Sequence, residues 1–183
     1  SILPDYDVVI LDEAHTVEGV AGDHLGISMT SGQVDYLLNR LYNDRSNKGV
    51  LVAHGLTECQ KKVMRLRAAA EDFFESLRFW RENRAPSNGR ISEPLDMASP
   101  FSTELHELGQ QIAQRAEDIE QDEQKIELKA AADRCSLLGQ AAAAWLEQRD
   151  TDSVYWIETT NGRRPATKLV SCPTFPSPTT VQV

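Results

Sequence analysis

The chain has 183 residues, 40% hydrophobic and 26% charged, enough to bury a core and few enough for one or two compact units. Its 19 Lys and Arg against 28 Asp and Glu leave a net charge of −9, which excludes a protein that coats nucleic acid nonspecifically over its whole surface. No apolar run approaches the roughly 18 residues of a membrane span, and the first residues lack the charged and apolar regions of a secretory signal, so no membrane partner and a cytoplasmic location are expected.

The first predicted element, Tyr6 to Leu11, is an aliphatic and β-branched run suited to a buried parallel strand that presents functional residues at its carboxyl end. It delivers Asp12-Glu13-Ala14-His15, the pattern of a Walker B motif of the DEAH kind. Adjacent acids suit phosphoryl chemistry, because one carboxylate holds Mg2+ through its water shell while the next polarises the water that attacks a γ-phosphate. Asp12 fits the first role and Glu13 the second. Four specified residues arise by chance in a chain this long in roughly one sequence in a thousand. The alternative is a buried strand that ends in a charged turn. A nucleotide site of this kind also needs a Gly-rich loop with Lys and Ser or Thr to cradle the phosphates, and no G-x-x-x-x-G-K-S/T spacing occurs from Ser1 to Val183. The expectation is an internal fragment of a larger ATPase, holding half of a catalytic site and inactive alone.

Glu13 to Val20 can begin a short helix that Gly19 and Gly22 weaken. Thr30 or Ser31 then caps a helix through about Asn43, with Val34, Leu37, Leu38 and Leu41 on one face. Val50 to Leu56 is ambiguous. A longer helix is predicted from Thr57 to Asn83, where Val63, Leu66, Ala70, Phe73, Leu77 and Trp80 recur every three or four residues, and Ala85-Pro86-Ser87-Asn88-Gly89 ends it. Thr103 is expected to cap a third helix running to about Arg149, with Leu105, Leu108, Ile112, Ala116, Ile119, Ile126, Ala130, Leu137, Ala141 and Trp145 in one stripe. Unbroken, it would extend roughly 70 Å. The two long helices suggest an antiparallel arm protruding from a body. The acidic run Glu117 to Glu123 reads as a solvated face with room for a kink. Val154 to Glu158 and Thr167 to Ser171 flank Asn161-Gly162 as a β-hairpin, and Pro173, Pro176 and Pro178 predict an irregular tail.

Charge is unevenly spread along these elements. From Leu56 to Arg90 there are eight Lys or Arg against five acids, a local +3, while Pro100 to Asp150 holds five bases and eleven acids, a local −6. The basic positions Lys61, Lys62, Arg65, Arg78 and Arg81 are the candidates for phosphate contact, with Phe74 or Trp80 offering a stacking face. The opposing reading is that Phe73, Leu77 and Trp80 sit at core spacing and the cations are solvated. Cys59, Cys135 and Cys172 are too far apart for a metal-ligand motif and read as ordinary thiols.

The Tyr6 to His15 segment, a large helical region directly after it, and the Tyr155-Trp156-Ile157-Glu158 hairpin ending in Leu169-Val170-Ser171-Cys172-Pro173 together resemble the DinG/XPD-type superfamily 2 helicases. The resemblance implies an α/β fragment of a RecA-like motor domain with a mainly α-helical, Arch-like insertion and a C-terminal β-hairpin. It divides the chain into 1–29, the Walker B strand and the next segment of the motor domain; 30–150, the insertion; and 151–183, the hairpin returning to the motor domain. It further implies ATP and Mg2+ as cofactors, with Asp12 on the metal and the ATP phosphates, Glu13 activating water, and His15 coupling the site to neighbouring motifs, against the alternative of a capping or surface histidine. The partner implied is single-stranded DNA, traversed 5′ to 3′. Relatives often carry four cysteines for an iron–sulfur cluster between Walker A and Walker B, a region these residues do not include. Walker A, the Ser-Ala-Thr motif and the second motor domain of the family are likewise not found here. Two competing readings are a non-catalytic helical module whose acidic arm binds a protein partner, and a different motor such as an RNA helicase or chromatin translocase.

Overall fold

The computed structural model describes residues 26–97, 99–160 and 165–174. The Walker B strand, the Asp12-Glu13-Ala14-His15 motif, the weak helix after it, the Asn161-Gly162 turn and the proline-rich tail beyond 174 lie outside the described residues.

The first described element is strand β1 (Ser28–Thr30), which passes directly into helix α1 (Ser31–Leu41). Thr30 and Gln33 form a reciprocal capping box: the Gln33 amide donates to Thr30 Oγ1 at 3.1 Å, and the Thr30 amide donates to Gln33 Oε1 at 2.8 Å. The expected apolar face of α1 is borne out, with Val34, Leu37, Leu38 and Leu41 all buried. The helix stops two residues short of Asn43. A turn closed between Asn43 and Lys48 leads to Gly49, whose φ of +139° and contact with the Leu41 carbonyl admit no side chain. The ambiguous stretch from Val50 forms a single helical turn, α2 (Val50–Ala53).

Helix α3 (Thr57–Asn83) has the bounds its periodicity predicts. Val63, Leu66, Ala70, Phe73 and Leu77 are buried, and Trp80 is half-buried against the same core. Phe73 stacks on Phe101 at 4.9 Å and meets Phe74 edge-on at 5.1 Å, which joins α3 to the start of α4 (Phe101–Glu117). Thr103 does not cap this helix. It begins two residues earlier, where the Ser99 hydroxyl accepts from the Phe101 amide at 3.3 Å.

The expected third helix is two helices. It breaks at Asp118–Gln121, and α5 (Asp122–Glu147) folds back along α4 as an antiparallel hairpin, so the protruding 70 Å arm does not exist. Acids crowd both sides of the break. Glu117 and Asp118 oppose the negative end of the α4 dipole, whereas Asp122 and Glu123 favour the positive end of a new helix. Lys125 and Lys129 on α5 then reach back to Glu117 at 2.9 and 2.7 Å, clamping the turn. The break also shifts the apolar phase. Leu128, Ala132, Cys135, Gly139, Ala142 and Trp145 are buried, while Ile126 and Leu137 from the predicted stripe face solvent.

The hairpin is borne out as β3 (Ser153–Thr160) and β4 (Ala166–Pro173), paired from Ser153 with Pro173 to Thr160 with Ala166. With β1 and β2 (Arg90–Ile91) they make an antiparallel sheet in the order β1-β4-β3-β2. Met29, Leu169 and Ile157 lie opposite one another across β1, β4 and β3, and Ile91 lies opposite Tyr155, giving one buried face. That face shares a single core with the helices. The hairpin assigned by sequence to a returning motor sheet is therefore packed into the same body as residues 30–150. No helix among the described residues is long and apolar enough to cross a membrane.

Candidate functional site

The five basic candidates all lie on α3, but the helix turns them to different faces. Lys61 and Arg65 are one turn apart and exposed. Lys61 is engaged by Glu58 at 2.8 Å, an exposed pair one turn apart whose hydrogen bond holds the Glu58 carboxyl below its usual range. Lys62 is turned inward. Its side chain is 11% exposed and its ammonium donates to Glu107 Oε2 on α4 at 2.8 Å, which in turn lowers the Glu107 carboxyl. Arg81 donates to the carbonyls of Pro86 and Ser87 at 3.2 and 2.7 Å, closing the loop after α3. Arg78 lies in a cleft of about 360 Å3 with Asp35, Glu71 and Glu75 for company.

These surroundings sort the candidates. Lys62 and Arg81 serve the fold, since the Lys62 ammonium bonds Glu107 on α4 and both terminal nitrogens of Arg81 bond a loop backbone. Arg65 and Arg78 have no carboxylate within ion-pair distance among the described residues, but they point from different sides of the helix. The five do not converge on one phosphate-binding groove. Phe74 is buried against Phe101 and cannot stack on a base, and half-buried Trp80 lines a shallow cleft with Arg90 and Pro94. The core reading holds for Phe73 and Leu77, which are buried, while Trp80 is half-buried at the edge of that core.

Arg67, which sequence reasoning passed over, joins α3 to α1: it donates to Asn39 Oδ1 at 3.0 Å and to the Tyr42 carbonyl at 2.6 Å. Sequence reasoning also passed over the cleft between α1 and α5, where Tyr36, Arg40, Arg134 and Leu137 come together. The only signal for it was an apolar stripe on the third helix, and periodicity alone cannot separate an open stripe from a core.

The nucleotide candidates Asp12, Glu13 and His15 lie outside the described residues. Among the described residues no group of three or more His, Cys, Asp or Glu side chains is placed to hold a metal ion. The cysteines stay separate thiols, and burial pushes Cys135 up to about 12 and raises Cys59 as well. Comparison with known protein families, with curated proteins and with solved structures returns no match for this chain.

Proposed function

We propose that the chain is part of an ATP-dependent DNA helicase of the DinG/XPD type, in which ATP hydrolysis drives 5′ to 3′ movement along single-stranded DNA and duplex unwinding in the cytoplasm. The observation that carries this reading is the sequence Val8-Val9-Ile10-Leu11-Asp12-Glu13-Ala14-His15, an apolar run that ends in paired acids. Asp12 holds Mg2+ with the ATP phosphates, and Glu13 accepts the proton of the attacking water. His15 links that chemistry to the neighbouring motifs.

The geometry downstream of the motif supports an insertion. Strands β1 and β4 are neighbours in the sheet, with Ser28 opposite Val170, so the first and last described strands lie side by side. An element inserted into a host domain needs its two ends close together and a core of its own, and this body has both. The α4–α5 pair carries the local −6 and is not a DNA-coating surface, which leaves Arg65 and Arg78 as the α3 positions available to phosphate.

The test is ATP hydrolysis by the full-length parent, with and without single-stranded DNA, in wild type and Glu13→Gln. The substitution keeps size and removes the base, so DNA-stimulated hydrolysis should fall by about 10²- to 10⁴-fold. Hydrolysis indifferent to both DNA and Glu13 would overturn the motor reading.

A further inference from the structure

Ile126, Ala130, Leu137 and Ala141 recur at helical spacing on α5, yet Ile126 is 66% and Leu137 65% exposed. Beside the middle of α5 runs α1, whose Tyr36 is also 66% exposed. Between them lies an open groove of about 700 Å3 with Leu37, Leu137 and Leu138 as apolar lining, Tyr36 on its wall, and Arg40 and Arg134 as its two cations. The same two arginines line an adjoining cavity of about 60 Å3, so they stand where the two spaces meet. Glu127 borders the smaller cavity, but its carboxylate faces His54 Nε2 at 3.6 Å. Among the described residues neither Arg40 nor Arg134 has a carboxylate within ion-pair distance.

We propose that this groove is a docking site for a short acidic, amphipathic peptide segment of a partner protein. Large apolar side chains of the segment lie against Leu37, Leu137 and Leu138, and its carboxylates meet the guanidiniums of Arg40 and Arg134. Charge complementarity selects this occupant: two guanidiniums with no carboxylate in ion-pair distance among the described residues flank an apolar lining in a chain of net charge −9, and the planar fork of Arg matches a carboxylate in bidentate fashion. An apolar groove between helices is also the shape that receives the apolar face of an amphipathic segment. A single nucleic-acid strand asks for something different, a track of cations for successive phosphates and several stacking faces. The groove offers two cations and one exposed aromatic ring. The proposal goes beyond the helicase reading and does not depend on it.

The experiment titrates the 183-residue chain into three labelled probes followed by fluorescence anisotropy: a peptide with the repeat Glu-Leu-Leu-Glu, the same peptide with Lys in place of Glu, and oligo(dT). The acidic peptide is expected to saturate and the basic one to bind at least ~10-fold more weakly. Arg40→Glu, Arg134→Glu and Leu137→Ser should each weaken the acidic peptide by ~10-fold or more. All three positions are exposed, and unchanged thermal melting confirms that the variants fold. Absence of saturable binding, or binding indifferent to the three variants, overturns the proposal. So does oligo(dT) binding that these variants abolish, which would make the groove a nucleic-acid site. Self-association lost on Leu137→Ser, without acidic-peptide binding, would assign the groove to a second copy of the chain and equally overturn it.

Discussion

The indole nitrogen of Trp145 donates to the main-chain carbonyl of Val170 at 2.8 Å, with both residues buried, and so ties the last turns of α5 to β4. The ring also meets Tyr155 edge-on at 6.4 Å, and the Tyr155 hydroxyl donates to the Asp150 carbonyl at 3.0 Å. Helix, connecting turn and sheet are thereby locked at one corner. Trp145→Phe, which keeps most of the apolar volume but leaves the carbonyl without its donor, is expected to cost about 1–3 kcal/mol. Trp145→Ala adds a cavity and should cost about 3–5 kcal/mol. Urea unfolding measures both, and a Phe variant as stable as wild type would show that the carbonyl finds another donor.

The α4–α5 hairpin depends on close approach. A Cβ at Gly139 would lie 2.8 Å from the Ser102 carbonyl oxygen and 2.9 Å from the His106 amide nitrogen, backbone atoms that cannot swing aside. Gly139→Ala should therefore push the helices apart and cost about 1–3 kcal/mol, despite the better helix propensity of alanine. Thermal denaturation decides it, since a stabilised Ala variant would mean that the helices shift apart freely.

Glu117 accepts hydrogen bonds from Lys129 and Lys125, which together hold its carboxyl down to about 2. Because the folded value lies below the ordinary 4.5, the stabilisation is fully present above about pH 4.5 and is lost as the pH falls toward 2. The side chain is 60% exposed, so the effect is small and screened by salt. Stability of wild type minus that of the Lys125→Met, Lys129→Met double variant should be positive at neutral pH and vanish at the acid end of that window. A difference that persists there would contradict the ion-pair account.

Lys62 and Arg65 should behave differently in the full-length parent. Lys62→Met keeps the buried stem and removes a largely buried ammonium together with its pair, so stability should stay within ~1 kcal/mol and the salt dependence of DNA binding should not change. Arg65→Ala, at an exposed cation, should reduce the slope of log affinity against log salt by about one if DNA follows α3. Equal slopes for both variants would remove α3 from the DNA path.

Thiol chemistry offers a simple probe of the core. Cys135 is fully buried and pushed up to about 12, and Cys59 is buried beside α4, whereas Cys172 is half-buried near the end of β4. Alkylation of the folded chain at mildly basic pH, mapped by mass spectrometry, should mark Cys172 well before the other two. Early modification of Cys135 would show that the α4–α5 hairpin opens locally.

Much of the local structure was legible in the sequence. The cap at Thr30, one of the two residues the sequence offered, the 27-residue span of α3 and the two strand-like runs of the hairpin depend on residues within a few positions of one another, and such spacing is written directly in the chain. The acidic pair Asp12 and Glu13 is likewise a matter of local order, and it carries the functional reading. Tertiary structure alone decided which faces meet. Two apolar stripes compete on α5, and the buried one, from Leu128 to Trp145, carries the small residues Ala132, Cys135, Gly139 and Ala142 in its middle, with α4 in close approach at Gly139. The larger Ile126 and Leu137 are left outside. The same holds for the cations, where Lys62 is spent on Glu107 and Arg81 on a loop while Arg40 and Arg134 gather across a groove. These outcomes depend on pairs such as Ser28 with Val170 or Lys62 with Glu107, whose separation along the chain hides them from any periodicity, and only the balance of packing and desolvation between whole elements settles them.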